Sequence, residues 1–399
     1  MNEMNKGKEV IANATSGNNT NININNNSNN KNHKDVRNKL MRVMLIVVGV
    51  LVLFLVILLI IAVVGGGNME YEEIEQEMKD AAVEYYDVQK GLLPEEEGET
   101  VTVRASTLAN AELMKPLSEL RKDENCSGRV EVRKINDNYV YTPYLECGDN
   151  YVTKELYKAV LEQGVVASGD GLYDMNGEKV YRGENVNNYV KLDNTMFRIV
   201  KVTSNNRLLL IMADTDSNFS HNFDDRYNAT DGFNSGFNDY RLSRVYDYLQ
   251  DLYNGNNDIV ILSENDKEKL VDFDMCIGKR APTDTDKTNT LDCSERIENQ
   301  MIGLLSASDY MNASLDASCN ATTDRTCQNY NYLKLSGIDW WLGTANSLNN
   351  SEVYAVRSGG YIDEYKASSY KKVRPTIMIN DNVMIKSGSG SASNPFVLK

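Results

Sequence analysis

Histidine is almost missing from this chain: His33 and His221 are the only two in 399 residues. A Ser-His-Asp or Cys-His catalyst needs a histidine or another base beside its nucleophile, so such chemistry would rest on His221, which lies in a polar stretch and reads as a solvated loop side chain. Positive charge is short too. Against 57 acidic residues stand 42 lysines and arginines, a net charge of −15, and a surface of that sign repels phosphate backbones, which argues against nucleic acid as a partner. There is no C-x-x-C, which with a single histidine in reach argues against zinc. No cysteine precedes Cys126, and no second long apolar run accompanies the first.

That first run is the most conspicuous stretch present. Val43 to Val64 reads VMLIVVGVLVLFLVILLIIAVV, 22 residues without a charged side chain, where a helix needs ~20 to cross a bilayer core. The expectation is one transmembrane helix in contact with membrane lipid. Lys31, Lys34, Arg37, Lys39 and Arg42 precede it and Glu70, Glu72, Glu73, Glu75, Glu77 and Asp80 follow it, so the basic flank marks the cytoplasmic side. This predicts a single-pass protein of the bacterial cell membrane, N-terminus cytoplasmic and C-terminus extracellular. A cleaved signal peptide is disfavoured: its apolar region spans only ~7 to 15 residues, and Ala62 to Gly67 is a poor cleavage site. Residues 1–42 hold seven basic and three acidic residues, a charge of +4, so the remainder carries −19. Their NNTNININNNSNN tract predicts a disordered tail.

All six cysteines (Cys126, Cys147, Cys276, Cys293, Cys319 and Cys327) lie beyond the apolar run, and an even number confined to an exported side reads as disulfides. Of the fifteen pairings, the nearest-neighbour one is preferred: Cys126 with Cys147, Cys276 with Cys293, Cys319 with Cys327.

Periodicity divides the rest. Ile74, Met78, Ala81, Tyr85 and Val88 recur at helical spacing, predicting a helix over Met69–Lys90 that Gly91 and Pro94 stop. A second helix is expected over Ala105–Arg121. Arg129–Ile135 and Tyr139–Leu145 alternate around Asn136-Asp137-Asn138, the pattern of a hairpin whose open ends Cys126 and Cys147 would close. Residues 68–155 thus read as a small disulfide-closed helix-plus-hairpin module, and Lys154–Asp174 as a connector. From about Leu172 strands are expected at 179–182, 189–192, 196–203 and 207–212, helices at 241–253 and 264–271, and strands again at 352–357, 373–379 and 383–385. The fold class expected is α+β.

Tyr181-Arg182-Gly183, Asn187-Asn188-Tyr189-Val190 and Phe197-Arg198-Ile199, followed by Trp340-Trp341-Leu342-Gly343-Thr344 and Val373-Arg374-Pro375-Thr376-Ile377, resemble a family of bacterial cell-surface domains of unknown function. The resemblance covers residues 172–399. That family is similar in layout to C-type-lectin-like domains, the group that includes formylglycine-generating enzymes. It implies a module whose first and last strands pair and whose long intervening loops form a binding surface. Where the family has Arg after Trp-Trp-Leu, this chain has Gly343. No cysteine here matches the reactive pair of the formylglycine enzymes.

Three sets of residues are candidates for function. Trp340 and Trp341 offer rings for stacking on a sugar, although adjacent strand residues face opposite sides and one of them is expected in the core. Arg374 offers a guanidinium fork beside Pro375. Asp214, Asp216, Asp224 and Asp225 offer hard oxygen ligands to calcium, but an EF-hand loop beginning at Asp214 would place Phe219 where Gly is required. No other cofactor is called for. The function expected is non-catalytic recognition or adhesion toward an extracellular glycan or protein through the loops of residues 213–350. The alternatives are a glycan-acting enzyme using paired carboxylates and a structural surface-assembly protein.

Overall fold

Ile74, Met78, Ala81 and Ala82 form a buried stripe on the first helix, α1 (Tyr71–Val88). Its C-terminal end turns Tyr86 inward, where it meets the Tyr141 ring at 6.3 Å, while Val88 is exposed. The 3.6-residue period drifts off the predicted Tyr85 and Val88 positions. The computed structural model that shows this describes residues 68–399 except Asn136, Gly232, Phe233, Asn257, Gln328 and Asn329, together with Met41, Met44, Val47 and Val48. Glu70–Lys399 form one compact unit and Met1–Met69 another.

Two expectations are corrected here. Among the described residues no helix is long and apolar enough to cross a membrane, so the single transmembrane helix and the single-pass membrane localisation are not supported. The 18-residue α1 carries Glu72, Glu73, Glu75, Glu77, Lys79, Asp80, Glu84 and Asp87, charges that hydrocarbon does not accept. Val43–Val64, apart from Met44, Val47 and Val48, and the tail expected to be disordered, apart from Met41, lie outside the described residues. The α+β class is also replaced by a mostly-β fold with few helices. Pro116, at φ −55° and ψ 140°, cuts the helix expected over 105–121 into two short pieces, α2 (Ala105–Asn110) and α3 (Leu117–Leu120). The helix expected over 264–271 ends after one turn at Lys267.

Against α1 packs a four-stranded antiparallel sheet in the order β1 (Thr100–Arg104), β2 (Cys126–Ile135), β3 (Asn138–Cys147), β4 (Tyr151–Val152). The β2–β3 hairpin turns tightly through Asp137 at φ 61°, as short turns with left-handed residues do. Val103, Val130, Val132 and Leu145 are buried. Gly128 permits the close approach, because a Cβ there would lie 2.7 Å from Met78 Cε. Glu75, buried on α1, accepts from Tyr151 Oη at 2.9 Å and from Lys399 Nζ at 2.6 and 2.8 Å, tying the last residue of the chain to its first helix.

The stretch expected as a connector holds α4 (Leu156–Leu161) and β5 (Gly171–Met175). Then follow β6 (Glu178–Arg182), β7 (Tyr189–Leu192), β8 (Thr195–Val202), the wholly buried β9 (Leu208–Met212), β10 (Ser220–Asn222), α5 (Arg244–Asn254), α6 (Glu264–Lys267), β11 (Phe273–Cys276), β12 (Lys279–Arg280), β13 (Arg296–Gln300) and α7 (Ala307–Asn312). The chain closes with β14 (Trp340–Asn346), β15 (Glu352–Val356), β16 (Ile362–Lys366), β17 (Tyr370–Lys372), β18 (Thr376–Ile379), β19 (Ile385–Ser387) and β20 (Phe396–Leu398). An eight-stranded sheet runs β18-β9-β8-β7-β20-β19, with the β5–β6 pair joined to β8; a six-stranded one runs β10-β17-β14-β15-β16, with β12 on β14. β20 returns to pair in parallel with β7, Phe396 opposite Val190.

Candidate functional site

The residues singled out by the sequence are mostly consumed by the fold. Trp340 and Trp341 are both fully buried in β14, so neither offers a ring to a sugar. Trp341 Nε1 donates to the His221 carbonyl at 3.0 Å, and Tyr310 meets the Trp340 ring edge-on at 5.6 Å. Every residue of β14 is buried, so both faces of the strand lie inside. A Cβ on Gly343 would lie 2.5 Å from Met275 Cε, so a larger residue there would have to displace the end of the Met275 side chain.

Arg374 is also fully buried and grips carbonyl oxygens: Met212 at 2.9 and 3.1 Å, Leu333 at 2.7 Å and Ala213 at 3.2 Å. Burial pushes its pKa down to about 9. A guanidinium surrounded in this way is a structural cross-link between β9 and the chain before β18.

The four aspartates do not converge. Asp214 accepts from the Thr215 amide and Asp216 from the Asn218 amide. Asp224 is buried against Arg226 Nε at 2.8 Å, and Asp225 pairs with Arg244 at 3.3 Å. Among the described residues, two acid–cysteine groups come close enough to suggest a metal, Glu124 with Cys126 and Cys147, and Asp316 with Cys319 and Cys327. Their sulfurs are committed to disulfides. The bridges join Cys126 to Cys147, Cys276 to Cys293 and Cys319 to Cys327, and the first pair is directly opposed in the hairpin register. His221 stacks on Tyr248 with centroids 4.9 Å apart.

The opening lies elsewhere, on the face of the four-stranded sheet turned away from α1. Alternation along β1 and β2 points Arg104 and Arg129 outward while Val103 and Val130 point in. Pairing then sets Arg104, Arg129 and Tyr144 in one row across three strands, Arg104 opposite Arg129 and Arg129 opposite Tyr144. α2 and α3 rise at one side of this row and the start of α4 at the other, leaving a half-open groove of about 800 Å³.

Its charged groups hold each other in place. The Arg129 guanidinium lies over the Tyr144 ring at 4.4 Å and donates through Nε to Glu131 at 3.0 Å. Tyr144 Oη donates to Glu155 Oε1 at 2.7 Å, and Lys158 Nζ donates to the same oxygen at 2.9 Å. Glu155 is buried, and burial works to raise its carboxyl, but the bonds from Lys158 and Tyr144 outweigh this and hold it below its ordinary value. Burial, then the bond to Glu155, raises the Tyr144 hydroxyl. Arg104 is exposed and has no ion-pair partner among the described residues.

A second cavity, of about 520 Å³, lies beside β8, β11 and α7. Lys201 Nζ there reaches Glu178 at 3.0 Å and Asp309 at 3.1 Å. Burial would lower the lysine and raise the aspartate, but each offsets that for the other, so Lys201 sits above and Asp309 below its ordinary value. A lysine held protonated is no general base. Deeper in, Asp292 accepts from Arg280 Nη1 at 2.8 Å and Thr344 Oγ1 at 2.5 Å, a buried and satisfied pair one residue from the Cys276–Cys293 bridge.

Sequence reading missed the groove because no motif marks it. Its one legible trace is the outward alternation of RVEVRKI, which puts Arg129 and Glu131 on the solvent side of the hairpin. No protein-family model, curated protein or solved structure matches the chain.

Proposed function

We propose that the protein is a recognition protein that holds its ligand without turning it over, and that the groove between the four-stranded sheet and α4 is its binding site. The observation that carries this reading is the groove: about 800 Å³, half-open, with charged walls pre-set by Tyr144 and Glu155. Binding sites for small molecules have volumes of ~300–1,000 Å³ and a few fixed polar groups. The likeness to lectin-like surface domains covers residues 172–399 and does not extend to this groove, which residues 104–158 line.

The test is binding of the full chain to a panel of glycans and peptides, before and after Ala109→Trp, which fills the groove from α2. Binding without product, lost by at least about tenfold in A109W, supports the reading; product formation, or binding unchanged by A109W, rejects it.

A further inference from the structure

Resting on that reading of the groove, we propose that its ligand is an organic oxyanion, a carboxylate or a phosphate ester, gripped between the guanidinium groups of Arg104 and Arg129. The two arginines are cross-strand partners, and like charges set opposite one another destabilise a sheet unless something lies between them. Among the described residues the protein supplies the pair with one carboxylate, Glu131. Glu131 takes only Nε of Arg129, leaving its two terminal nitrogens without a protein partner, and Arg104 has none at all. The nearby Glu155 has its own counter-charge in Lys158 Nζ at 2.9 Å, so it does not cancel the charge of the arginine pair.

The site is also pre-formed. Arg129 Cζ lies 4.4 Å over the centre of the Tyr144 ring, whose hydroxyl is pinned to Glu155, so the fork loses little freedom when it closes on an anion. Planar guanidinium groups match the paired oxygens of a carboxylate or phosphate, and such charge-assisted bonds are about twice as strong as neutral ones. In a chain of net charge −15 this is a local cationic patch that selects for anions. Ala109, Leu117 and Val152 also line the groove, and their small apolar surfaces accommodate the uncharged body of the ligand.

The experiment is titration calorimetry on the full chain with four probes: galacturonate against galactose, and glycerol 3-phosphate against glycerol. At least one anion is expected to bind, about tenfold or more tighter than its neutral counterpart, and to weaken as sodium chloride is raised. The double variant Arg104→Gln, Arg129→Gln is expected to lose that binding at an unchanged melting temperature; the single variant R104E serves the same purpose should the double variant fold poorly. Which acid binds separates a sugar carboxylate from a phosphate ester. Galactose binding as tightly as galacturonate, or full binding in the arginine variants, overturns the oxyanion ligand and leaves the groove as a recognition site. Failure of all four probes also overturns it, whereas the recognition reading falls only on product formation or on binding unchanged by A109W.

Discussion

The four-stranded sheet and the larger pair of sheets handle their charged and aromatic side chains in opposite ways. In the larger region Trp340, Trp341, Arg280 and Arg374 are the bulkiest fully buried side chains, each packed on rings, carbonyls or an aspartate and out of a ligand's reach, although Trp340 Nε1 has no hydrogen-bond partner among the described residues. In the smaller region Arg104 and Arg129 face solvent, with donors unclaimed above a groove. Residue types associated with binding thus mark structure in one place, while an unremarkable alternating hairpin forms the opening in the other. The difference comes from what covers the faces: every residue of β14 is buried, whereas the face carrying Arg104 and Arg129 is covered only at its margins.

The contrast can be broken most forcefully at Asp292. Asp292→Ala would leave buried Arg280 with only the more distant Asp286, at 3.8 Å, as counter-charge and is expected to cost about 3–5 kcal/mol by chemical denaturation; a cost under about 1 kcal/mol would mean that the larger region is looser than described. Trp341→Ala, removing a ring packed on Phe223 and Tyr365, is expected to cost about 3–5 kcal/mol at most. Losing the Cys126–Cys147 bridge, tested as the double serine variant, should cost about 2–4 kcal/mol.

Acid sharpens the comparison further. Glu155 and Asp309 are both held below their ordinary carboxylate values, so the stability they contribute is present above the unfolded range of about pH 4 and is lost as pH falls through the folded values. Glu155→Gln and Asp309→Asn should each flatten the acid limb of a stability-against-pH curve, and an unchanged limb would contradict the bonding described. The smallest effect is reserved for Arg104→Gln, which should alter stability by no more than about 0.5 kcal/mol because the side chain is exposed and unpaired.

Much of the backbone was legible and little of the site. The hairpin could be read because Val130, Val132 and Leu145 alternate with polar residues about a two-residue turn, and α1 because its apolar stripe keeps helical spacing. Pro116 was visible in the sequence, but the apolar face of 105–121 masked its effect. Short elements such as β5 and α4 were lost in the glycine-containing stretch 154–174, where periods are too brief to register. The Trp-Trp pair misled as a stacking surface because a strand covered on both faces buries adjacent residues alike, and only the tertiary packing over β14 reveals that. Arg104, Arg129, Tyr144 and Glu155 are spread over fifty residues, and strand register, invisible to motif reading, brings them together.

Covalent labelling of arginine with phenylglyoxal, mapped by mass spectrometry on the full chain with and without galacturonate or glycerol 3-phosphate, addresses the contrast directly. The account predicts that Arg104 and Arg129 react in the free protein and are shielded by a bound anion, while Arg280 and Arg374 stay unmodified throughout. Ready labelling of Arg374 in the native protein, or anion shielding there in place of Arg104 and Arg129, would contradict it.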